Sequence, residues 1–171
     1  AVHDEKWHVN AFAWGNARHR RKGFWTDEVE QEWTEVAEKV RMRLISCHNC
    51  PMKCGATIKY PGIPTYMMKC YSKLTYTMAA MSDLDFGLKI AGLAQEYGVD
   101  GYSAPQVMAF ALELLEAGIL TDKDFPEMPD DNAHGSEERF YYLLDKIVQR
   151  EGIGDVLANG TYWAAKEIGN G

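Results

Sequence analysis

Three of the four cysteines in this 171-residue chain lie close together, with the spacing C-x2-C-x3-C, at Cys47, Cys50 and Cys54. Clustered thiols predict a metal site, because a cysteine that only fills a core needs no such neighbours. Iron-sulfur clusters are held by four thiolates as a rule, so this trio predicts a cluster whose fourth ligand comes from elsewhere in the fold. A zinc ion held by the trio with His48 or Cys70 is an alternative, as are redox or incidental thiols.

The composition is that of a folded protein and argues against several partners. With 46% apolar and 12% aromatic residues, the chain can build one or two ordinary cores. Its formal net charge of −7 argues against nucleic acid, and no apolar run of about twenty residues offers a transmembrane span. Few, clustered cysteines favour a reducing compartment, so we expect a cytoplasmic protein. The chain begins with Ala and carries no signal-peptide pattern, so we expect an internal piece of a longer protein.

The first part of the chain, residues 1–43, is predicted to be an aromatic and basic lead-in with one helix. Aromatic residues such as Trp7, Phe12 and Trp14 surround a basic run, Arg18–Lys22. That run is either a solvated surface or an anion site for the phosphates of a cofactor or substrate. A helical period with Thr26 as N-cap predicts a helix over residues 27–43 that leads to the cysteine loop.

The remainder, residues 44–171, is predicted to be an all-α domain with a short extended segment. Pro and Gly punctuate residues 56–68, which excludes a long helix there. Apolar residues at helical spacing, bounded by capping residues and glycines, then predict four helices that pack on one another around a polar loop at 121–135. They run from Ser82 to Gly98, from Ala104 to Gly118, from Ser136 through Val148 with Gly152 beyond, and from Val156 to Gly169.

Three segments resemble those of one family, the tungsten-dependent aldehyde:ferredoxin oxidoreductases. Residues 47–55 are similar to its C-x2-C-P-x2-C-G segment, residues 97–103 to its G-L-D-T-I-S segment, and residues 152–160 to its G-x-G-D-x-L-A-x-G segment. Their order and spacing agree over about residues 44–169. The resemblance implies an all-α middle portion of a larger catalytic subunit.

The resemblance also implies two cofactors. Cys47, Cys50 and Cys54 correspond to ligands of a [4Fe-4S] cluster whose fourth ligand comes from a later domain, and a tungsten ion bound by two pyranopterins lies beside it. Gln95, Val99 and Asp100 fall on a D-x-x-G-L-D pattern whose ends contact the pterin. Here Gln95 replaces a carboxylate by an amide, which still offers a donor and an acceptor.

Cys70 and His8 distinguish reactions within the family. Cys70 falls near the position where aldehyde-oxidising members carry a glutamate close to the metal. A thiolate there resembles the tungsten subunit of class II benzoyl-coenzyme A reductases, in which a cysteine ligates the metal and a histidine near it donates a proton. By that resemblance Cys70 is a tungsten ligand and His8 is the proton donor. Taken alone, each would be read as an ordinary core or surface residue.

The sequence therefore predicts an oxidoreductase that reduces the ring of an aryl-CoA thioester. Electrons would come from an iron-sulfur electron-transfer subunit or a ferredoxin, and the rest of the subunit would complete the site within a larger complex. Two alternatives remain open. One is an aldehyde:ferredoxin oxidoreductase, and the other is a zinc-stabilised helical interaction module without catalysis.

Overall fold

A computed structural model describes residues 27–51, 53, 55–68, 84–129 and 137–169. His8, Cys54 and Cys70 lie outside the described residues, as do the predicted helix caps Ser82 and Ser136. No helix within the described ranges combines the length and the apolar character that a membrane span requires.

The fold is mainly α-helical with one small sheet, as the sequence predicts. The elements in chain order are α1 (Asp27–Val40), β1 (Arg41–Ile45), β2 (Gly55–Ile58), β3 (Tyr66–Met68), α2 (Leu84–Glu96), α3 (Ser103–Glu116), a short 3-10 helix (Asp122–Asp124), α4 (Glu137–Gln149), α5 (Ile153–Leu157) and α6 (Thr161–Gly169).

The helix predicted over residues 27–43 is wrong at its C-terminal end. It stops at Val40, and the chain continues at once as strand β1. The Lys59 amide donates to the Val40 carbonyl at 2.9 Å, and Arg43 pairs with Thr57. Pairing with β2 therefore overrides the helical spacing of residues 41–43. The local sequence of this segment cannot reveal that pairing. Strand β1 also runs across the predicted boundary between residues 43 and 44; that division stays a prediction.

The sheet is antiparallel in the order β1-β2-β3. Its strands β2 and β3 occupy the segment predicted to be extended, with a turn at Pro61-Gly62 between them, whereas β1 lies outside that segment. The register sets Ile58 opposite Tyr66, so these two buried side chains share the face that meets the helices.

The sheet packs along one face of helix α2. The Tyr66 hydroxyl donates to the Leu88 carbonyl at 2.8 Å. One turn further along, a Cβ on Gly92 would lie 2.8 Å from Ile63 Cδ1 and 3.1 Å from Tyr66 Cε1. Glycine is required at this position because the Tyr66 ring and Ile63 lie directly against the helix backbone.

The helices form the main core around α4. Of its predicted apolar stripe, four residues are buried and Val148 is partly buried. Phe86 of α2 meets the rings of Phe140 and Tyr141 edge-to-face, with centroids 6.2 and 5.5 Å away. Helix α3 packs against α4, α5 and α6. The predicted polar loop is tied to this core by Phe125, which is buried. The buried stripe of α4 consists of Phe140, Leu143, Leu144 and Ile147.

Three helices end in the same way, but only two of them use glycine. Gly98 and Gly118 have positive φ after α2 and α3, as predicted. After α4 the equivalent residue is Arg150, with φ 55°, and the Glu151 amide donates to the Lys146 carbonyl at 3.1 Å. The Arg150 guanidinium donates to Asp155 Oδ1 at 2.6 Å.

The single last helix predicted over residues 156–168 is wrong. The structure has two short helices, α5 and α6, separated by Gly160 with φ 86°. Helix α5 begins after Gly152, which has φ 56°, and its first turn lies against the backbone of α4. A Cβ on Gly154 would lie far inside van der Waals contact with the Lys146 carbonyl. Gly152 and Gly160 thus allow the turns on either side of α5, and Gly154 allows its close contact with α4.

Replacing Gly154 with Ala should destabilise the intact protein by about 3 kcal/mol, because α5 must move away from α4 to accept the methyl group. The matched control is Gly169→Ala, where the new methyl group meets nothing within 4 Å. Denaturant unfolding of both variants checks this. Equal midpoints for the two variants would contradict the close contact.

Candidate metal centre

The first two cysteines are brought together by a tight turn at the end of β1. The Cys50 amide donates to the Cys47 carbonyl at 3.0 Å, and Asn49 between them has φ 57°. Asparagine is one of the few residues that adopt this left-handed conformation at small cost. A turn of this kind holds the two cysteine Cα atoms within about 7 Å, so both sulfurs can reach one metal centre.

The same loop closes on β2 at a glycine. Residues 46–54 join β1 to β2, and Gly55 pairs with Ile45 where the strands meet. A Cβ on Gly55 would lie 2.7 Å from Ile45 Cγ1 and 3.2 Å from the Met68 carbonyl oxygen. The glycine that follows Cys54 is therefore needed so that the cysteine loop can close tightly against the sheet.

The described cysteines fit a surface-facing thiolate site. Cys47 is exposed and Cys50 is partly buried. Among the described residues no three His, Cys, Asp or Glu side chains gather into a metal site, and Cys54 is not one of those residues.

Gln95 has a role that its sequence position did not reveal. Its side-chain oxygen accepts a hydrogen bond from the Met67 amide at 3.0 Å, so Gln95 ties β3 to the end of α2. Its amide nitrogen has no hydrogen-bond partner among the described residues. A glutamine can therefore serve both as the acceptor that holds the strand and as a donor to a ligand, which a carboxylate cannot do.

Val99 and Asp100 lie in the connection from α2 to α3. The Val99 amide donates to the Ala94 carbonyl at 2.8 Å, and its half-buried side chain packs on the core. Asp100 Oδ1 accepts hydrogen bonds from the Tyr102 and Ser103 amides, at 3.1 and 2.6 Å. Its carboxylate therefore satisfies donors at the start of α3 that the helix itself leaves unpaired.

Those hydrogen bonds lower the pKa of Asp100. The backbone amide of Ser103 is the largest cause, and it outweighs the partial burial that acts in the opposite direction. A carboxylate that accepts amide hydrogen bonds is stabilised in its charged form. Asp100 thus remains ionised at neutral pH and fixes the first turn of α3.

The sheet places the cysteine loop near the end of α2. Gly55 ends the loop, its neighbour Ala56 pairs with Met68, and the adjacent Met67 is bonded to Gln95. One strand spacing of about 4.8 Å and about two residues of strand, roughly 7 Å, separate these backbone positions. The sheet thus connects the end of the cysteine loop at Gly55 to Gln95 on α2 through two paired strands, although the two residues are forty positions apart in the sequence.

The predicted catalytic residues His8 and Cys70 and the predicted ligand Cys54 lie outside the described residues, so their roles stay predictions. Sequence reasoning missed the turn at Asn49 and the closure at Gly55. An asparagine between two cysteines, and a glycine directly after the third, are the features that indicate them.

Comparison with known proteins shows to which family the chain belongs. The sequence profile described as "Aldehyde ferredoxin oxidoreductase, domains 2 & 3" matches residues 7–171. The chain belongs to the aldehyde ferredoxin oxidoreductase family. It is 31% identical over 155 residues to the tungsten-containing aldehyde ferredoxin oxidoreductase of Pyrococcus horikoshii, covering 88% of this chain and 25% of that protein.

Other similar proteins differ in the activity that their names give. The chain is 33% identical over 128 residues to the aliphatic sulfonate oxidoreductase, WOR-like subunit, of Pyrococcus furiosus, covering 71% of this chain and 20% of that protein. A solved structure, the active site complex BamBC of benzoyl coenzyme A reductase with 1,5-dienoyl-CoA, contains a chain that is 72% identical, with a TM-score of 0.83. The match covers 99% of this chain and 25% of that one. The chain spans about a quarter of the length of the curated aldehyde ferredoxin oxidoreductases that it matches.

Replacing Asp100 with Asn should lower the stability of the intact protein at neutral pH and leave it nearly unchanged in acid. Because the pKa of Asp100 is lowered in the folded state, its contribution is present above about pH 4, the ordinary aspartate range, and is lost as pH falls through the lowered value. Urea unfolding of both proteins across that range measures the difference. A stability difference that stays constant with pH would contradict the capping role.

Proposed function

We propose that this chain is the cluster- and pterin-contacting part of a tungsten enzyme that reduces the aromatic ring of benzoyl-CoA to a cyclohexadiene thioester. The observation that carries the proposal is the identity of 72% over 99% of the chain to a protein in a benzoyl coenzyme A reductase complex. The aldehyde ferredoxin oxidoreductases reach only 29–31%. Within one family, that difference favours the reaction of the more similar protein.

Aldehyde oxidation is the second candidate, since the curated relatives of that name share the family. The sequence Lys69-Cys70-Tyr71 argues against it, because it carries a thiol near the position of the family's carboxylate. Soft sulfur suits a low-potential tungsten site better than a carboxylate oxygen does. The zinc-stabilised module is disfavoured, because membership of a redox family accounts for the cysteine trio without zinc.

Two cofactors fit the residues of the chain. Cys47, Cys50 and Cys54 would hold a [4Fe-4S] cluster with a fourth ligand from another part of the subunit, and tungsten bis-pyranopterin would lie near Gln95, Val99 and Asp100. The tight turn that joins Cys47 to Cys50 supports this assignment, as does the Gln95 amide nitrogen, which has no hydrogen-bond partner among the described residues. When bound, the cluster and the metal-pterin supply electron transfer at low potential.

The residues of the chain position these groups and handle the proton. Cys47 and Cys50 would hold the cluster at the end of a sheet that Tyr66 and Gln95 bond to α2. In the proposal His8 donates a proton to the ring as electron density arrives there, because an imidazole titrates near neutral pH. Cys70 would ligate tungsten through its thiolate.

The partners follow from the proposed reaction. An aryl-CoA thioester is the substrate, and an iron-sulfur electron-transfer subunit or a ferredoxin supplies electrons within a larger complex. The similar protein of known structure was solved as a complex with a dienoyl-CoA, which supports a CoA thioester as the ligand. The cytoplasmic location, inferred from the use of cysteine, stays a prediction.

The intact subunit, purified without oxygen, should contain tungsten with about four irons and should reduce benzoyl-CoA to its dienoyl-CoA. Metal analysis and product identification by mass spectrometry check both parts. Benzaldehyde is the control substrate, and we expect it to be oxidised slowly or not at all. Zinc without tungsten would refute both redox functions, and aldehyde oxidation without ring reduction would refute the main proposal.

His8→Ala should lower ring reduction by at least about 100-fold, the usual contribution of a general acid. His3→Ala is the matched control, since it removes another imidazole from the same segment and should leave the rate unchanged. Cys70→Glu should abolish ring reduction, because it replaces the thiolate with the carboxylate of aldehyde-oxidising members. Full activity in either His8→Ala or Cys70→Glu would remove the role assigned to that residue.

A further inference from the structure

The last helix of the fold carries its largest side chains on its outer side. Within α6, only Ala164 is buried against the part of the chain that the structure describes, and Ile168 is partly buried. Tyr162 and Trp163 are 63 and 59% exposed. With about 3.6 residues per turn, Tyr162 and Lys166 lie opposite Ala164, and Trp163 lies beside them. The larger apolar side chains of α6 therefore face away from the described core.

These outward side chains form one cluster. The Tyr162 and Trp163 rings meet edge-to-face with centroids 5.0 Å apart. The Lys166 Nζ lies 4.9 Å from the Tyr162 centroid and 5.4 Å from the Trp163 centroid. Because each side chain restricts the others, little conformational entropy remains to be lost when a neighbour covers them. Tyr162, Trp163 and Lys166 together are called the α6 stripe below.

The α6 stripe also carries polar groups that a neighbour can satisfy. The Tyr162 hydroxyl and the Trp163 indole N–H have no hydrogen-bond partner among the described residues. A groove of about 630 Å³ lies beside them, lined by Asn159, Trp163, Lys166 and Glu167. Buried tyrosine and tryptophan side chains usually find a partner for these donors. A surface that covers the stripe should therefore offer apolar side chains together with hydrogen-bond acceptors.

The area of the α6 stripe favours a neighbour in the same polypeptide. Two aromatic side chains of about 200 Å² each, exposed by roughly three fifths, offer about 240 Å². A stable interface between separate proteins needs about 800 Å² on each partner. Two parts of one subunit need less, because the chain already holds them at a high effective concentration.

We propose that the α6 stripe docks an apolar, acceptor-bearing surface in the part of the same subunit that lies outside these 171 residues. This chain matches only 25% of a curated aldehyde ferredoxin oxidoreductase and 25% of the 72% identical solved chain, so most of such a subunit can supply the surface. Lys166 and the adjacent Glu167 balance in charge, which gives no preference for a strongly charged partner. The inference rests on family membership and not on the proposed reaction.

Hydroxyl-radical footprinting of the intact wild-type holoenzyme, read by mass spectrometry, tests the proposal. Tyr162 and Trp163 should be oxidised at least about tenfold more slowly than in a synthetic peptide of residues 159–169, because a docked surface excludes the reagent until it opens. The exposure of the two side chains in the fold described here would by itself leave their rates within about twofold of the peptide. Rates in that range would overturn the proposal.

Dilution separates the proposed occupant from other proteins. Protection should stay the same when the holoenzyme is diluted from micromolar to nanomolar concentration and when it is separated from any copurifying subunit, because a contact within one chain does not depend on concentration. Loss of protection on dilution would assign the stripe to a second copy, and loss on separation would assign it to another subunit. Either loss would overturn the proposal.

Trp163→Glu should make the native subunit about tenfold more sensitive to protease at α6, because it favours opening of the docked helix. Ala165→Glu is the matched control, since it adds the same charge at an exposed position of α6 about 160° around the helix from Trp163. The control should be cleaved at the wild-type rate. Unchanged cleavage of Trp163→Glu, or an equal rise in Ala165→Glu, would contradict docking through the stripe.

These measurements do not use benzoyl-CoA, so the docking surface and the proposed reaction fail separately. A subunit whose stripe is protected but which does not reduce the ring would refute the reaction and leave the docking surface standing. A subunit that reduces the ring while Tyr162 and Trp163 are oxidised as in the peptide would do the reverse.

Discussion

The contact between the three-stranded sheet and helix α2 is the constraint on which the rest of the structure depends. It requires the missing side chain of Gly92, the neutral hydroxyl of Tyr66 bonded to the Leu88 carbonyl, and the amide oxygen of Gln95 on the Met67 amide. Burial raises the pKa of the Tyr66 hydroxyl well above its ordinary value, so it remains a donor. A small sheet has little core of its own, and this contact supplies it.

That contact also explains how the helices can hold the cysteine loop in a fixed position. The cysteine loop is held at one end of the sheet, while the same sheet is bonded to α2 at Leu88 and at Gln95 in its last turn. A shift of α2 would therefore move the cysteine loop and Gln95 together rather than apart. Electron transfer and ligand binding both benefit from such fixed geometry, because a site held by rigid elements needs little reorganisation.

The family's glycine-rich segment, Gly152–Gly160, has a packing role in this structure. Gly154 lets α5 lie against the Lys146 carbonyl, Asp155 accepts a hydrogen bond from Arg150, and Gly160 separates α5 from α6.

Charge is divided between the two halves of the fold. Within the described residues, the sheet and the cysteine loop carry basic but no acidic side chains, and the acidic side chains lie on the helices and the loops that join them.

The sequence by itself determined the α-helical class, the buried stripe of α4, the extended segment at 56–68 and the cysteine trio, because each depends on local spacing. It could not show that β1 begins at Arg41, that Arg150 takes the place of a glycine after α4, or that two short helices stand where one last helix was predicted. Those features depend on pairing and contact between segments distant in sequence. Only the tertiary structure decided that Gln95 holds β3, since a hydrogen bond there joins residues that lie far apart in the sequence.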